Sequence, residues 1–318
     1  MASVAMMRVS HCRATRIKGH VHKCHKGLGN RHSLWMRDAH RGMNSSIQRK
    51  CTGSDSNACT LHEAMSEISA EIRQGIVAVG SGDLVAAFLE HVATRDDIGD
   101  VKFAPTSLSV ESELKMLGLP RVSELGKVDV FVDQADHVHV VDGEVSYIVG
   151  TGENGPQVGQ PDIPLVQRVA GSAPRVILLT HQRQGDITST RLSGQLPILI
   201  EGDELEWEEY AEEIDDIFLG DGEITRRSNS EDANTRGMPD PVITSDGNMI
   251  LDVSFYKDLR LYGQSVPYSD IARAVEGVDG VVVTGLVQCR SQDKESITVH
   301  QIHTDDATTC ILQTTRVV

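Results

Sequence analysis

The sequence predicts an α/β protein in which a parallel sheet layered with helices carries a smaller α+β domain before its last strands. Three observations carry the prediction. From Leu61 onward, strand-like apolar runs alternate with helix-length segments, the pattern of a parallel sheet with right-handed crossovers. Aromatics are only 4%, so the core must be built from Val, Ile, Leu and Ala, as in sheets covered by helices. Past residue 195 the element order changes to β-α-β-β-α-β.

Taken in order, the first helix is expected over Leu61–Arg73. A strand Ile76–Val79 follows Gly75, Gly80-Ser81-Gly82 turns the chain, and a helix Leu84–Val92 comes next. Strand Val101–Ala104 leads to helix Val110–Leu117, and the apolar run Val128–Val132 ends in Asp133. Beyond a glycine-rich stretch lie a short helix Pro164–Ala170 and a buried strand Arg175–Thr180. The second domain reads as strand Leu196–Glu201, helix Leu205–Phe218, strands Glu223–Arg227 and Met249–Phe255, helix Tyr268–Val275 and strand Gly280–Val287. Ser245-Asp246-Gly247-Asn248 supplies a turn, and Ile297–Ile302 and Cys310–Val317 return to the first sheet. The expected organisation is therefore a leader over 1–60, a Rossmann-like domain over 61–195 and 289–318, and a ferredoxin-like α+β domain over 196–288. A length of 318 residues agrees with about two domains.

Charge separates the leader from the body. Of 30 Lys+Arg and 46 Asp+Glu, residues 1–60 hold 11 and two, for +9, leaving 19 and 44 in residues 61–318, for −25. A body so acidic repels phosphate backbones, and its longest basic run is Arg226–Arg227, so no nucleic-acid partner is expected. No stretch approaches the ~20 apolar residues of a spanning helix, so no membrane partner is expected. The leader is rich in Arg and Ser, poor in acid, begins Met-Ala-Ser and lacks a secretory apolar run, which is the composition of an organellar transit peptide. His20, His22, Cys24 and His25 crowd together there, but no paired finger spacing recurs, so no metal site is expected. Cys289 and Cys310 read as buried thiols rather than a disulfide framework. Residues 203–223 hold 11 acids and no Lys or Arg. They read as a solvated helix face, the alternative being a docking surface for a basic protein partner.

An ordered series of motifs then makes the body recognisable. Gly80-Ser81-Gly82 follows the first strand, Val132-Asp133-Gln134-Ala135-Asp136 the third, and Gly150-Thr151-Gly152 the segment Tyr147-Ile148-Val149. Leu196-Pro197-Ile198, Thr244-Ser245-Asp246-Gly247-Asn248 and Val278-Asp279-Gly280-Val281 come later. In this series residues 61–318 resemble the type A ribose-5-phosphate isomerases along nearly their whole length. The resemblance implies interconversion of ribose 5-phosphate and ribulose 5-phosphate through an enediolate, without metal or cofactor. A general base moves a proton between two carbons, polar groups hold the oxyanion, and a glycine loop at a helix N-terminus grips the phosphate. It also implies a homo-oligomer and a role in the pentose phosphate route or carbon fixation. A plastid is therefore preferred to a mitochondrion as the leader's destination.

Mapped residue by residue, the resemblance makes Gly80, Ser81, Gly82, Asp83, Gly150, Thr151 and Gly152 substrate-binding and Asp133 and Asp136 catalytic. The departures matter as much. The family's phosphate loop reads Gly-Thr-Gly-Ser-Thr, whereas Asp83 and Leu84 stand here in place of its last two hydroxyls. Asp83 either faces the phosphate or caps the helix through its first amides, and both weaken the site. The family's Lys-Gly-Gly-Gly becomes Val149-Gly150-Thr151-Gly152, removing a cation, and Ile163 stands near the position of the general-base Glu. Asp162 is the nearest replacement base, with Glu153 behind it, although Asp162 before Pro164 also suits a helix cap. Two readings remain open: a weak or non-catalytic family member that binds sugar phosphate poorly, and an active divergent isomerase. A sugar-sensing regulator would need a helix-turn-helix that residues 1–60 do not suggest.

Overall fold

Apolar runs and glycine turns assemble three sheets in the computed structural model, which describes residues 58–122, 125–151, 162–182, 186–189, 191–202, 206–228, 240–304 and 310–317. All of these fall within one unit, Ser54–Val318. The chain begins with β1 (Ala58–Cys59), α1 (Leu61–Ser69), β2 (Gly75–Val79), α2 (Asp83–Ala93), β3 (Val101–Pro105), α3 (Leu108–Met116) and β4 (Val130–Gln134). It continues through β5 (His137–Val141), β6 (Glu144–Ile148), α4 (Ile163–Ser172), β7 (Arg175–Thr180), α5 (Asp186–Ser189) and β8 (Gly194–Ile200). The remaining elements are α6 (Trp207–Phe218), β9 (Gly222–Arg226), β10 (Met249–Phe255), α7 (Tyr268–Val275), β11 (Val281–Thr284), β12 (Leu286–Arg290), β13 (Ser296–Thr304) and β14 (Cys310–Arg316).

The largest sheet has the order β1-β14-β13-β7-β4-β2-β3. Its pairs from β13 to β3 are parallel, and the β13–β14 and β14–β1 pairs are antiparallel. Every residue of β4 is buried, because helices or further sheets cover both faces. On one face α1, α2 and α3 bury Met65, Ile68, Phe88 and Leu114 against Val77, Val79 and Val130. On the other, Val166 and Val169 of α4 pack on Phe131 and Val176 in a core shared with Ile250 and Val283 of the second sheet.

The second sheet runs β11-β8-β10-β9, antiparallel throughout. A strand order of fourth, first, third, second is what a β-α-β-β-α-β chain makes as a split pair of βαβ units. The ferredoxin-like expectation therefore holds, and the α/β class with it. α6 buries Tyr210, Ile214, Ile217 and Phe218 on this sheet and leaves Glu208, Glu209, Glu212, Glu213, Asp215 and Asp216 exposed, the arrangement of a solvated face.

Two of the departures from the expected elements decide how the sheets connect. The first is the hairpin β5–β6, whose turn Asp142-Gly143 has positive φ at both residues, 50° and 80°. An Asp-Gly pair between alternating apolar residues is the strongest local signal for such a turn. The second is the expected strand Gly280–Val287, which divides at Gly285: β11 joins the second sheet, and β12 pairs with β6 in a third sheet, β12-β6-β5. A Cβ on Gly285 would lie 2.6 Å from both a Pro197 ring carbon and the Val149 carbonyl oxygen, so only glycine passes between the two sheets here. The folded body also begins before residue 61. Ala58 and Cys59 pair with β14, and Thr60 starts α1 with a capping box in which Thr60 Oγ1 accepts from the Glu63 amide at 3.2 Å.

Candidate active site

The order β3-β2-β4 makes the chain leave β2 to one side and return on the other, so the loops after β2 and β4 part and open a crevice. Gly80-Ser81-Gly82 and Asp133-Gln134-Ala135-Asp136 meet there. Asp133 Oδ1 sits where a Cβ on Gly80 would have to be, and the Gln134 side-chain amide sits where one on Gly82 would be. Gly82 also has φ of 133°, a conformation open to glycine. The two glycines are thus required by the two side chains that end β4.

Asp83 is the first residue of α2, and Gly82 before it makes no side-chain cap. The main partners of the Asp83 carboxylate are side chains, with the Leu84 amide a lesser contributor to it. His181 Nε2 lies 3.0 Å from both its oxygens, and Gln134 Nε2 donates to Oδ1 at 2.7 Å. Gln134 Oε1 in turn accepts from the Leu84 amide at 2.8 Å, taking a donor that the helix would otherwise present. The His181 hydrogen bond pulls the Asp83 carboxyl down to about 2 against the effect of burial, with Gln134 assisting. Asp83 in turn raises the His181 imidazole above its ordinary value. The first residue of α2 is therefore a carboxylate held by two side chains from the ends of β4 and β7.

Asp133 lies behind this loop and is 2% exposed. Burial holds its carboxyl far above the usual carboxylate range. The Gln134 and Ser81 amides oppose that shift, and the charge of Asp136 adds to it. Its Oδ1 accepts from the Gln134 amide at 2.9 Å, and its Oδ2 has no partner among the described residues. The Tyr147 hydroxyl is likewise buried without a partner among them. Asp136 Oδ2 accepts from the Thr151 amide at 3.0 Å, which brings the loop after β6 to the same rim. There the Gly150 carbonyl accepts from Arg227 Nη2 at 2.8 Å, and Arg227 forms a two-point ion pair with Asp252 of β10. Burial raises the Asp252 carboxyl despite that pair.

Of the residues named from sequence, Gly80, Ser81, Gly82, Asp83, Asp133, Asp136, Gly150 and Thr151 converge on this rim. Asp162 is the N-cap of α4, where Oδ1 accepts from the Leu165 amide at 3.0 Å, and Ile163 after it is buried in the core. Gly152 and Glu153 lie outside the described residues. Sequence reading missed His181, Gln134 as a bridge, and the Arg227–Asp252 pair. His181 carried a usable signal, since it directly follows β7, the strand beside β4, at the edge where parallel sheets place ligands. Among the described residues, no group of three or more His, Cys, Asp or Glu is arranged to hold a metal ion.

Fold and rim together define an α/β protein with a crevice at the switch point of a parallel sheet and a ferredoxin-like second domain. The family model of ribose 5-phosphate isomerase A (phosphoriboisomerase A) matches residues 102–297, more than half of the chain, and the chain belongs to that family. The resemblance read from the ordered motifs is borne out. Ribose-5-phosphate isomerase A of Thermococcus kodakarensis is 26% identical over 202 residues, covering 60% of this chain and 78% of that protein. The Pyrococcus horikoshii enzyme of the same name is 26% identical over 188 residues, covering 57% and 71%. Among solved structures, ribose 5-phosphate isomerase A from Methanocaldococcus jannaschii superposes with a TM-score of 0.57 at 18% identity, covering 80% of this chain and 98% of its own. The Plasmodium falciparum ribose 5-phosphate isomerase gives 0.58 at 18% identity, covering 80% and 97%. Both likenesses show the fold.

Proposed function

We propose that this family member binds sugar phosphate weakly and catalyses the interconversion of ribose 5-phosphate and ribulose 5-phosphate poorly or not at all. The observation that carries this reading is the Asp83 carboxylate, held at the start of α2 by His181 and Gln134. A phosphate dianion entering there would meet a like charge and would find the Leu84 amide already engaged. The chemistry agrees: abstraction of a carbon-bound proton needs a positioned base and a stabilised enediolate, and Val149 and Ile163 supply neither. Asp133 and Asp136 remain as groups able to order sugar hydroxyls. The same proposal takes the protein to be a homo-oligomer, as the family resemblance implies, delivered to an organelle by the basic, acid-poor residues 1–60, with the plastid preferred on the family's role.

Turnover of ribose 5-phosphate by the full chain tests the reading. Loss of one acid/base group removes ~100-fold or more in rate, so activity under about one per cent of an intact family member is expected. Substantial turnover that collapses in Asp162→Asn or Glu153→Gln would replace this reading with that of an active divergent isomerase. Asparagine caps a helix about as well as aspartate, so a collapse in Asp162→Asn would not come from the loss of the α4 cap.

A further inference from the structure

We propose that Cys59 and Cys310 are a reversible redox pair whose oxidation covalently ties the first strand of the folded body to its last. In the β1–β14 ladder the two residues are directly opposite, and their Sγ atoms lie 3.3 Å apart as free thiols. Residues directly opposite in an antiparallel pair have Cα atoms about 4.5–5.5 Å apart, within the range a disulfide spans without moving the backbone. The partners come from opposite ends of the chain, 251 residues apart in sequence, and only the sheet brings them together. Cys289, the other described cysteine, is buried elsewhere, with its thiol directed at the Ala170 carbonyl of α4.

The asymmetry of the pair sets the order of events. Cys310 is 1% exposed, and burial, reinforced by the contact with Cys59, pushes its thiol up to about 12. Cys59 is only half-buried at the sheet edge and is therefore the point of entry. Its thiolate attacks one sulfur of a small-molecule or protein disulfide, forming a mixed disulfide and releasing one thiolate. Cys310 then attacks Cys59 Sγ, displacing the second thiolate. The two protein thiols lose two electrons and two protons, and the oxidising disulfide becomes two thiols.

The structural consequence falls on the N-terminal edge. β1 is two residues long and is followed at once by Thr60 and α1, whose Met65 and Ile68 belong to the core. In the reduced form that edge is held by a minimal ladder; in the oxidised form it is held by a bond that closes nearly the whole body into one loop.

The test uses the native full chain equilibrated with excess oxidised glutathione, alkylated, and digested with a protease that cuts after Asp55, so that Cys51 and Cys59 fall in different peptides. The expected result is loss of two of the six thiols, a Cys59–Cys310 cross-linked peptide released by dithiothreitol, and an upward shift in Tm of the oxidised chain. Loss of the cross-link and of the Tm shift in Cys59→Ser is also expected. Full alkylation of both cysteines after oxidation would overturn the proposal, as would glutathione retained on Cys59 or a cross-link from Cys310 to any other cysteine.

Discussion

His181 Nε2 lies 3.0 Å from each oxygen of Asp83, joining the end of β7 to the start of α2 across a sequence separation of 98. The two shifts arise from one contact and make one contribution. The raised His181 stabilises the fold fully below the ordinary histidine value of about 6.5 and loses that contribution as pH rises through its own higher value. The lowered Asp83 stabilises above about 3.9 and loses its contribution as pH falls through about 2. His181→Gln is therefore expected to lower Tm at pH 6, with the gap to the native chain narrowing at higher pH. Thermal melts of both chains across that range measure it, and a gap independent of pH would mean that the pair is not ionic.

The same carboxylate stands at the proposed phosphate loop. Asp83→Ser removes a like charge and is expected to tighten ribose 5-phosphate binding by about tenfold, or ~1.4 kcal/mol, in low-salt calorimetry. Restoring a second hydroxyl at Leu84 is a poor companion change, because Leu84 is 2% exposed and part of the core beneath α2. Unchanged affinity in Asp83→Ser would show that the loop no longer faces a ligand.

Burial of Asp133 gives a pH dependence opposite in sign to that of the Asp83 carboxyl. A carboxyl raised well above its ordinary value destabilises the fold increasingly as pH climbs past about 3.9. Asp133→Asn, nearly isosteric and uncharged, should melt close to the native chain near pH 4 and above it at pH 7. A native chain that gains on the variant as pH rises would instead mean that the carboxyl is ionised and paired.

Gly80 tests the contact between the two loops. Gly80→Ala puts a methyl where Asp133 Oδ1 lies and is expected to destabilise by about 2–3 kcal/mol. Gly99→Ala enters open space and should stay within about 0.5 kcal/mol. Urea unfolding of the two variants provides the comparison.

The N-terminal boundary is equally specific. A chain beginning at Ala58 keeps β1 and the Thr60 cap and should melt like the full chain. One beginning at His62 loses both, with the cap alone contributing about 1 kcal/mol. Equal melting temperatures for these two chains would show that β1 and the cap contribute nothing.

Local signals were sufficient for much of this molecule. The parallel strands show as short β-branched runs bounded by glycine, the second domain shows in its element order, and the rim residues are legible because strand ends and glycine turns are contiguous in sequence. The hairpin at Asp142-Gly143 carries a local signal as well. Other features had no local signal. That Gly285 hands the chain from one sheet to another depends on Pro197 and the Val149 carbonyl crowding it from remote segments.

By itself the sequence determined the fold class, the family and part of the rim, the segments Gly80-Ser81-Gly82 and Asp133-Gln134-Ala135-Asp136, since each follows from periodicity or from an ordered set of short motifs. Only the tertiary structure decided what those residues do to one another. It paired Asp83 with His181, buried Asp133 against Gly80, and set Cys59 opposite Cys310. The physical reason is common to all three. Hydrogen bonds, desolvation and thiol contact act over a few ångströms in space, and the distance along the chain does not encode them.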